Sequence, residues 1–180
     1  MNSPVSLTPL KRAQLDFWTG FRDYARKHEC RISPTAPQPD TSMLIAIGRT
    51  GFGLCGVAST RSWDGSKYGV ASGIRAEFLI LDGKQIFDRL RKEQHRIQGH
   101  FPEERLIWFS EVGVKQCKVF VQKGMDWQDP KKRRECYEWL VRNLDRLHEV
   151  FAPLVKGPGI WDYMKLAWQR IKGCSWKKDV

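Results

Sequence analysis

Three apolar runs decide the fold class of this chain: Met43-Leu-Ile-Ala-Ile47, Phe52-Gly-Leu-Cys-Gly-Val-Ala58 and the stretch Tyr68–Leu81. Their lengths and glycine-containing borders are typical of β-strands. Gly48-Arg-Thr-Gly51 joins the first two runs, and because a strand rather than a helix follows it, the pattern favours a hairpin turn over a phosphate-binding loop. A loop with Asp64-Gly65 joins the last two runs. We therefore predict a three-stranded antiparallel meander.

One helix is predicted before the meander in the sequence and another after it. Thr8-Pro9 supplies an N-cap and a first-turn proline, and apolar residues then recur every three or four positions to about His28. The proline-rich segment Ser33–Asp40 connects this helix to the meander. After the meander, Asp82-Gly83-Lys84-Gln85 resembles a capping box and predicts a helix that closes at Gly99.

The remaining pattern predicts two strands and two helices. The strands are Leu106–Glu111 and Lys115–Gln122. The next helix begins at Asp129-Pro130, where aspartate suits the N-cap and proline suits the first helical position, and it is expected to stop at Pro153. An amphipathic segment, Ile160–Lys172, predicts a last helix.

These elements define an α+β fold with a mixed, largely antiparallel sheet flanked by helices, in the order αβββαββαα. At 180 residues the chain is long enough for one domain with a full core and too short for two complete domains. The predicted organisation is a flexible tail at 1–8, a single domain at 9–153, a linker at 154–159, and an amphipathic helix with a basic tail at 160–180.

The chain is strongly basic. Lysine and arginine number 31 against 20 aspartate and glutamate residues, which gives a formal charge of +11 and a pI near 9.6. Such a charge indicates an acidic partner, and nucleic acid, an anionic membrane surface and an acidic protein all qualify. The sequence shows no signal peptide and no apolar run of the roughly 20 residues that span a bilayer. Five scattered cysteines without a Cys-x-x-Cys pair favour free thiols, so we expect a cytoplasmic protein without a bound cofactor.

The main functional signal is the block Asp129–Glu135, which places four cations in succession at a predicted helix start. The helix macrodipole favours carboxylates there, so folding does not require these cations, and the same helix end attracts phosphate. A solvated helix face is the alternative interpretation. The residues predicted to contact nucleic acid are Lys131, Lys132, Arg133 and Arg134, with Arg91, Lys92 and Arg96 from the preceding helix.

A catalytic alternative follows from the element order, because helix, three-strand meander, helix and strand match the core order of the PD-(D/E)XK nucleases. That resemblance implies an acid-x-Lys pair on the third strand, which would serve a divalent metal and its attacking water. The third strand here offers Glu77, but Leu79 occupies the lysine position. Asp64 is the candidate preceding acid and Lys84 the candidate displaced lysine. In the competing interpretation, Glu77 is an ordinary strand residue that pairs with Arg75 or a neighbour. A guanidinium beside the carboxylate would compete with a metal ion, and we therefore predict no metal site.

Tryptophan residues indicate a further surface. Trp161, Met164 and Trp168, here called the tryptophan stripe, share one side of the last predicted helix and are candidate contacts for a protein partner. Packing of that helix on the domain is the alternative. Trp63 and Trp127 lie in polar, loop-like contexts, where an indole either anchors the loop or contacts a ligand.

One set of local motifs is shared with a known family. The set comprises Leu15-Asp-Phe-Trp-Thr19, Ile47-Gly-Arg-Thr-Gly-Phe52, Gly73-Ile-Arg-Ala-Glu77, Trp108, and Trp139-Leu140 through Phe151-Ala-Pro153. Over roughly Lys11–Pro153 the chain resembles the bacterial domain-of-unknown-function family 4268. Members are often the C-terminal part of longer proteins whose N-terminal part is nuclease-like. The resemblance implies DNA-handling or defence functions and implies no catalytic residue.

We therefore predict a non-catalytic domain that binds nucleic acid, with DNA as the expected ligand, and that acts with DNA-processing or defence machinery. A nuclease or another DNA-processing protein is the expected protein partner. The alternatives are a PD-(D/E)XK-like metal-dependent nuclease and a protein-protein adaptor or inhibitor that docks through the C-terminal helix.

Overall fold

The meander forms the first three strands of a five-stranded sheet. A computed structural model describes residues 7–61, 72–81, 83–110 and 116–156. The elements are α1 Pro9–Lys27, β1 Ser42–Ala46, β2 Phe52–Ser59, β3 Gly73–Ile80, α2 Lys84–Lys92, α3 Gln94–Gln98, β4 Ile107–Ser110, β5 Cys117–Gly124 and α4 Arg133–Lys156. The strands lie in the order β1-β2-β3-β5-β4, and every pairing is antiparallel. The predicted α+β class and order of elements are confirmed; the last predicted helix, 160–172, lies outside the described residues.

The connection between β1 and β2 is the predicted hairpin turn. Gly48 and Gly51 have φ angles of 85° and 86°, a left-handed conformation that glycine adopts without strain. Within the same turn, the Arg49 carbonyl accepts a hydrogen bond from the Phe52 N–H at 3.3 Å. The two glycines of this motif therefore serve the backbone turn.

The single helix predicted from Asp82 to Gly99 is two short helices. Gly83 occupies the N-cap of α2 and offers no side-chain hydrogen bond, so the predicted capping box is wrong. Asp82 lies outside the described residues. At Glu93 the N–H donates to the Leu90 carbonyl at 3.0 Å, three residues back, and this tighter turn separates α2 from α3.

Helix α4 begins later than predicted. Residues 130–132 form a turn that Asp129 holds, since its carboxylate accepts from the Lys131 N–H at 2.9 Å and its carbonyl accepts from the Lys132 N–H at 3.0 Å. Asp129 therefore caps a turn, and the helix proper starts at Arg133.

Helix α4 also continues past Pro153, where it was expected to stop, and ends at Lys156. Leu154 and Val155 are buried, and the Arg49 side chain donates to the Val155 carbonyl. These tertiary contacts hold the last turn although proline lacks the N–H that a helix interior uses. No helix of the described residues is both long enough and apolar enough to cross a membrane.

Helices α1 and α4 pack on one side of the sheet, here called the helix face. Phe78 of β3 stacks on Phe151 of α4 with ring centroids 4.2 Å apart. Gly56 of β2 leaves space for Trp18 of α1, because a Cβ there would lie 3.2 Å from the indole ring. The indole N–H of Trp18 donates to the Asp40 carbonyl at 2.8 Å, which fixes the approach of α1 to the sheet.

The opposite side of the sheet, here called the second face, has its own small apolar cluster of Cys55, Val57 and Leu79. Successive strand residues alternate between faces, so Arg75 and Glu77 of β3 lie on the second face with Leu79. Both are buried. The cluster contains no side chain from any described helix.

Candidate nucleic-acid interface

The predicted basic block lies on the surface around the start of α4. Lys131 and Lys132 are exposed and form no ion pair with any described residue. Arg134 is also exposed, but its Nε lies 2.8 Å from Glu138 Oε1, one turn further along the helix. Two lysines of the block are therefore available to an external anion, while Arg134 already has an acidic neighbour.

Arg133 is turned towards α1 and lines an open cavity of about 900 Å³. Its Nη1 lies 2.7 Å from Asp16 Oδ2. Its Nε is buried and has no hydrogen-bond partner among the described residues. Arg12 lines the same cavity, so two guanidinium groups and one carboxylate give it a net charge of one positive unit.

The charge around the block is balanced. Residues 126–138 contain four cations and four carboxylates, so their formal net charge is zero. Lys123 adds a cation nearby, but its Nζ lies 3.1 Å from Glu135 Oε1. The start of α4 therefore attracts a polyanion less strongly than its run of four cations predicts.

Helices α2 and α3 form a more positive surface. Residues 84–96 contain five cations and two carboxylates, which leaves a net charge of +3 with histidine neutral. Phe87 and Leu90 of α2 and Ile97 of α3 are buried, so the charged side of both helices faces outward. We call this the α2–α3 surface; its cations are Lys84, Arg89, Arg91, Lys92 and Arg96.

Three cations of the α2–α3 surface, Arg89, Arg91 and Lys92, are exposed and form no ion pair with a described residue. Lys84 lies 3.9 Å from Asp88, and Arg96 lies 3.6 Å from Glu93. Exposed pairs of this length contribute little energy and open easily. Arg89 is not among the residues predicted from the sequence, although the net charge of its segment points to it.

The two basic groups adjoin opposite ends of β5. Helix α2 follows β3, whose last residue, Ile80, pairs with Cys117 at the beginning of β5. The start of α4 contacts the other end of β5, through Lys123 and Glu135. Six residues of strand separate these points, about 20 Å. The α2–α3 surface and the start of α4 are therefore two separate candidate contacts.

Glu77, the candidate metal-binding acid, contacts two cations. Its Oε1 lies 2.9 Å from Arg75 Nε, and its Oε2 lies 3.4 Å from Lys118 Nζ. The predicted pair with Arg75 is thus present. Lys118 was not predicted, because it reaches Glu77 from β5, where it pairs with Leu79 in the strand register. Sequence alone does not give that register.

Lys84, the candidate displaced lysine, does not pair with Glu77. Lys84 is exposed at the start of α2 beside Asp88. Asp64 lies outside the described residues. Within the part of the chain that the structure describes, no group of three or more histidine, cysteine or acidic side chains could hold a metal ion.

Trp127 anchors a loop. Its side chain is fully buried, and its indole N–H donates to the Ser59 carbonyl at 3.0 Å. Of the two interpretations of its sequence context, loop anchoring is confirmed. Trp63 and the tryptophan stripe lie outside the described residues.

Comparison with known proteins identifies the family. Residues 13–155 match a family described as a domain of unknown function, DUF4268. No curated protein and no solved structure matches the chain at a significant level. The match runs from α1 into the last turn of α4 and covers nearly the whole region of the predicted resemblance. The chain therefore belongs to the DUF4268 family.

Proposed function

We propose that this domain binds nucleic acid through the α2–α3 surface and does not cut it. The observation that carries the proposal is the net charge of +3 over residues 84–96, with Arg89, Arg91 and Lys92 exposed and without an acidic partner among the described residues. Cations that are not already neutralised displace condensed counterions from phosphates, which supplies most sequence-independent affinity.

The start of α4 is a secondary contact in this proposal. Lys131 and Lys132 are available there, but the carboxylates of residues 126–138 cancel the net charge. The two surfaces belong to different elements, α2–α3 and α4, so mutations should separate their contributions.

The surroundings of Glu77 support binding without metal-dependent cleavage. A divalent metal needs carboxylate oxygens, and both oxygens of Glu77 already contact cations, Arg75 and Lys118. We therefore expect no cleavage of plasmid or single-stranded DNA in the presence of Mg²⁺ or Mn²⁺.

The kind of nucleic acid and the kind of partner are proposed from the family to which the chain belongs. We propose DNA as the ligand and a DNA-processing or defence protein as the partner, in the cytoplasm. The support for the partner is the frequent position of family members beside nuclease-like domains.

Fluorescence anisotropy with a duplex, over a salt series, tests the binding site. Each phosphate contact contributes about −0.9 to the slope of log affinity against log salt, so replacing Arg89, Arg91 and Lys92 together by alanine should reduce the slope by about 2.7. Replacing Lys131 and Lys132 should have a smaller effect, because local carboxylates weaken that surface.

The matched control replaces three exposed cations of α1, Lys11, Arg26 and Lys27, by alanine, which removes the same charge elsewhere. We expect nearly parental affinity and slope for this control. Equal losses in the two triple variants would mean that total charge, and not the α2–α3 surface, governs binding. Cleavage that requires Glu77 would overturn the non-catalytic part of the proposal.

A further inference from the structure

The second face of the sheet is buried although the described helices lie elsewhere. Cys55, Val57, Leu79 and Phe120 are between 4% and 6% exposed, and Glu77 is 2% exposed. Helices α1 and α4 pack on the helix face, and the cluster of Cys55, Val57 and Leu79 includes no helical side chain from the described residues. Such low exposure on a sheet face requires a second layer on it.

The covering layer is narrow. Leu44 of β1 pairs with Cys55 in the register and shares its face, yet it is 53% exposed. Its neighbours on that face, Ser42 and Ala46, are exposed as well. The cover therefore lies over β2, β3 and β5, whose outer two strands are about 10 Å apart, and this is the width of one α-helix.

The chain itself contains a segment of suitable length and pattern. Helix α4 ends at Lys156 beside the β1–β2 turn, because Arg49 of that turn donates to the Val155 carbonyl. From this end of the sheet, 24 further residues follow. As a helix, Ile160–Lys172 would be about 20 Å long, which fits the roughly 26 Å of an eight-residue strand.

We propose that residues 160–172 dock as an amphipathic helix on the second face, with the tryptophan stripe against Cys55, Val57 and Leu79. Two other stretches outside the described residues connect consecutive strands in the sequence, 62–71 and 111–115. They join strand ends and contain fewer large apolar side chains than 160–172. The proposal does not depend on nucleic-acid binding.

Thiol labelling of the full chain tests this proposal. Cys55 lies under the proposed helix, and Cys136 is fully buried on the helix face, so Cys136 reports general unfolding. Met164→Asp places a charge in the tryptophan stripe. The rate at which N-ethylmaleimide labels Cys55, measured by mass spectrometry of peptides, should rise about ten-fold or more, because labelling follows the population with the face open. Cys136 should stay at its parental rate.

Arg170→Asp is the matched control, since Arg170 lies about 180° around the predicted helix from Trp161 and the substituted residue is the same. It should leave the labelling of Cys55 unchanged. If Met164→Asp also speeds the labelling of Cys136, the milder Met164→Ala should speed the labelling of Cys55 alone.

Three results would overturn the proposal. Parental labelling of Cys55 in both Met164 variants would remove the segment from the second face. Faster labelling of Cys55 in Trp63→Asp, with parental labelling in the Met164 variants, would assign the cover to residues 62–71. Protection of Cys55 that is lost on dilution, together with a dimer in sedimentation, would assign it to a second copy of the chain.

Discussion

Among single residues, Glu77 is a buried carboxylate that contacts two cations. It supplies the negative charge between Arg75 and Lys118 on the second face, where little solvent reaches it. Removing one member of a buried ionic group destabilises more than the group itself stabilises, because the remaining charges stay in a poorly solvated place. Glu77 is therefore expected to matter for stability.

Glu77→Gln should lower the free energy of unfolding by about 3 kcal/mol, because it removes the anion that Arg75 and Lys118 share. Urea denaturation measures this. Glu135→Gln is the control, since Glu135 forms an exposed pair with Lys123 at 3.1 Å and should lose less than about 1 kcal/mol. A stabilised Glu77→Gln variant would instead indicate an acid kept for function at a cost in stability, as the nuclease alternative requires.

Between elements, Gly20 of α1 packs against Tyr137 of α4. A Cβ at this position would overlap the Tyr137 hydroxyl and lie 3.1 Å from Tyr137 Cζ. That hydroxyl donates to the Phe17 carbonyl at 3.1 Å and so connects the two helices. Gly20 thus fixes the distance at which α4 packs on α1.

Gly20→Ala should destabilise the protein by about 1–3 kcal/mol through overpacking, although alanine favours a helix by up to about 1 kcal/mol. Thermal unfolding measures the change. In the Tyr137→Phe background the same substitution should cost less, because the overlapping oxygen is gone. Gly124→Ala, where a Cβ meets nothing within 4 Å, is the control. Equal losses in both backgrounds would show that the hydroxyl does not limit the approach.

The elements that sequence predicts well are those with local signals. Helix α1, the meander and α4 follow from periodicity, turn glycines and caps within a few residues. The missed features depend on distant parts of the chain. Lys118 meets Glu77 through the strand register. Arg133 pairs with Asp16 of α1, so it is less available to an external anion. The extension of α4 past Pro153 likewise depends on contacts from the β1–β2 turn.

At the scale of the whole molecule, several weak acids are buried in their neutral forms. Burial, and secondarily the charge of Glu77, raises the pKa of the Cys55 thiol to about 12. Burial raises the pKa of the Cys136 thiol to about 11 and that of the Tyr137 hydroxyl to about 12. Each group keeps its proton in the folded protein at a pH where the unfolded chain has lost it.

Stability should therefore fall as the pH rises above about 9, where unfolded thiols ionise, by up to about 1.4 kcal/mol per pH unit for each group. The tyrosine adds to the fall above about pH 10. Urea denaturation between pH 8 and 11 measures the curve. Cys55→Ala should flatten it more than Cys30→Ala does, because Cys30 is only half-buried. A curve without this decline would contradict the assignment of neutral, buried acids.

The packing of α1 against α4 also determines when the protein can fold during its synthesis. Translation releases α1 first, and α4 comes last of the described elements, after the complete sheet. At about 5–20 residues per second, the interval between the end of β5 and the end of α4 lasts about 2–6 seconds. Until α4 is complete, the part of the helix face that α4 covers stays exposed. A ribosome that stalls before residue 133 thus turns this domain into a substrate for chaperones and proteases.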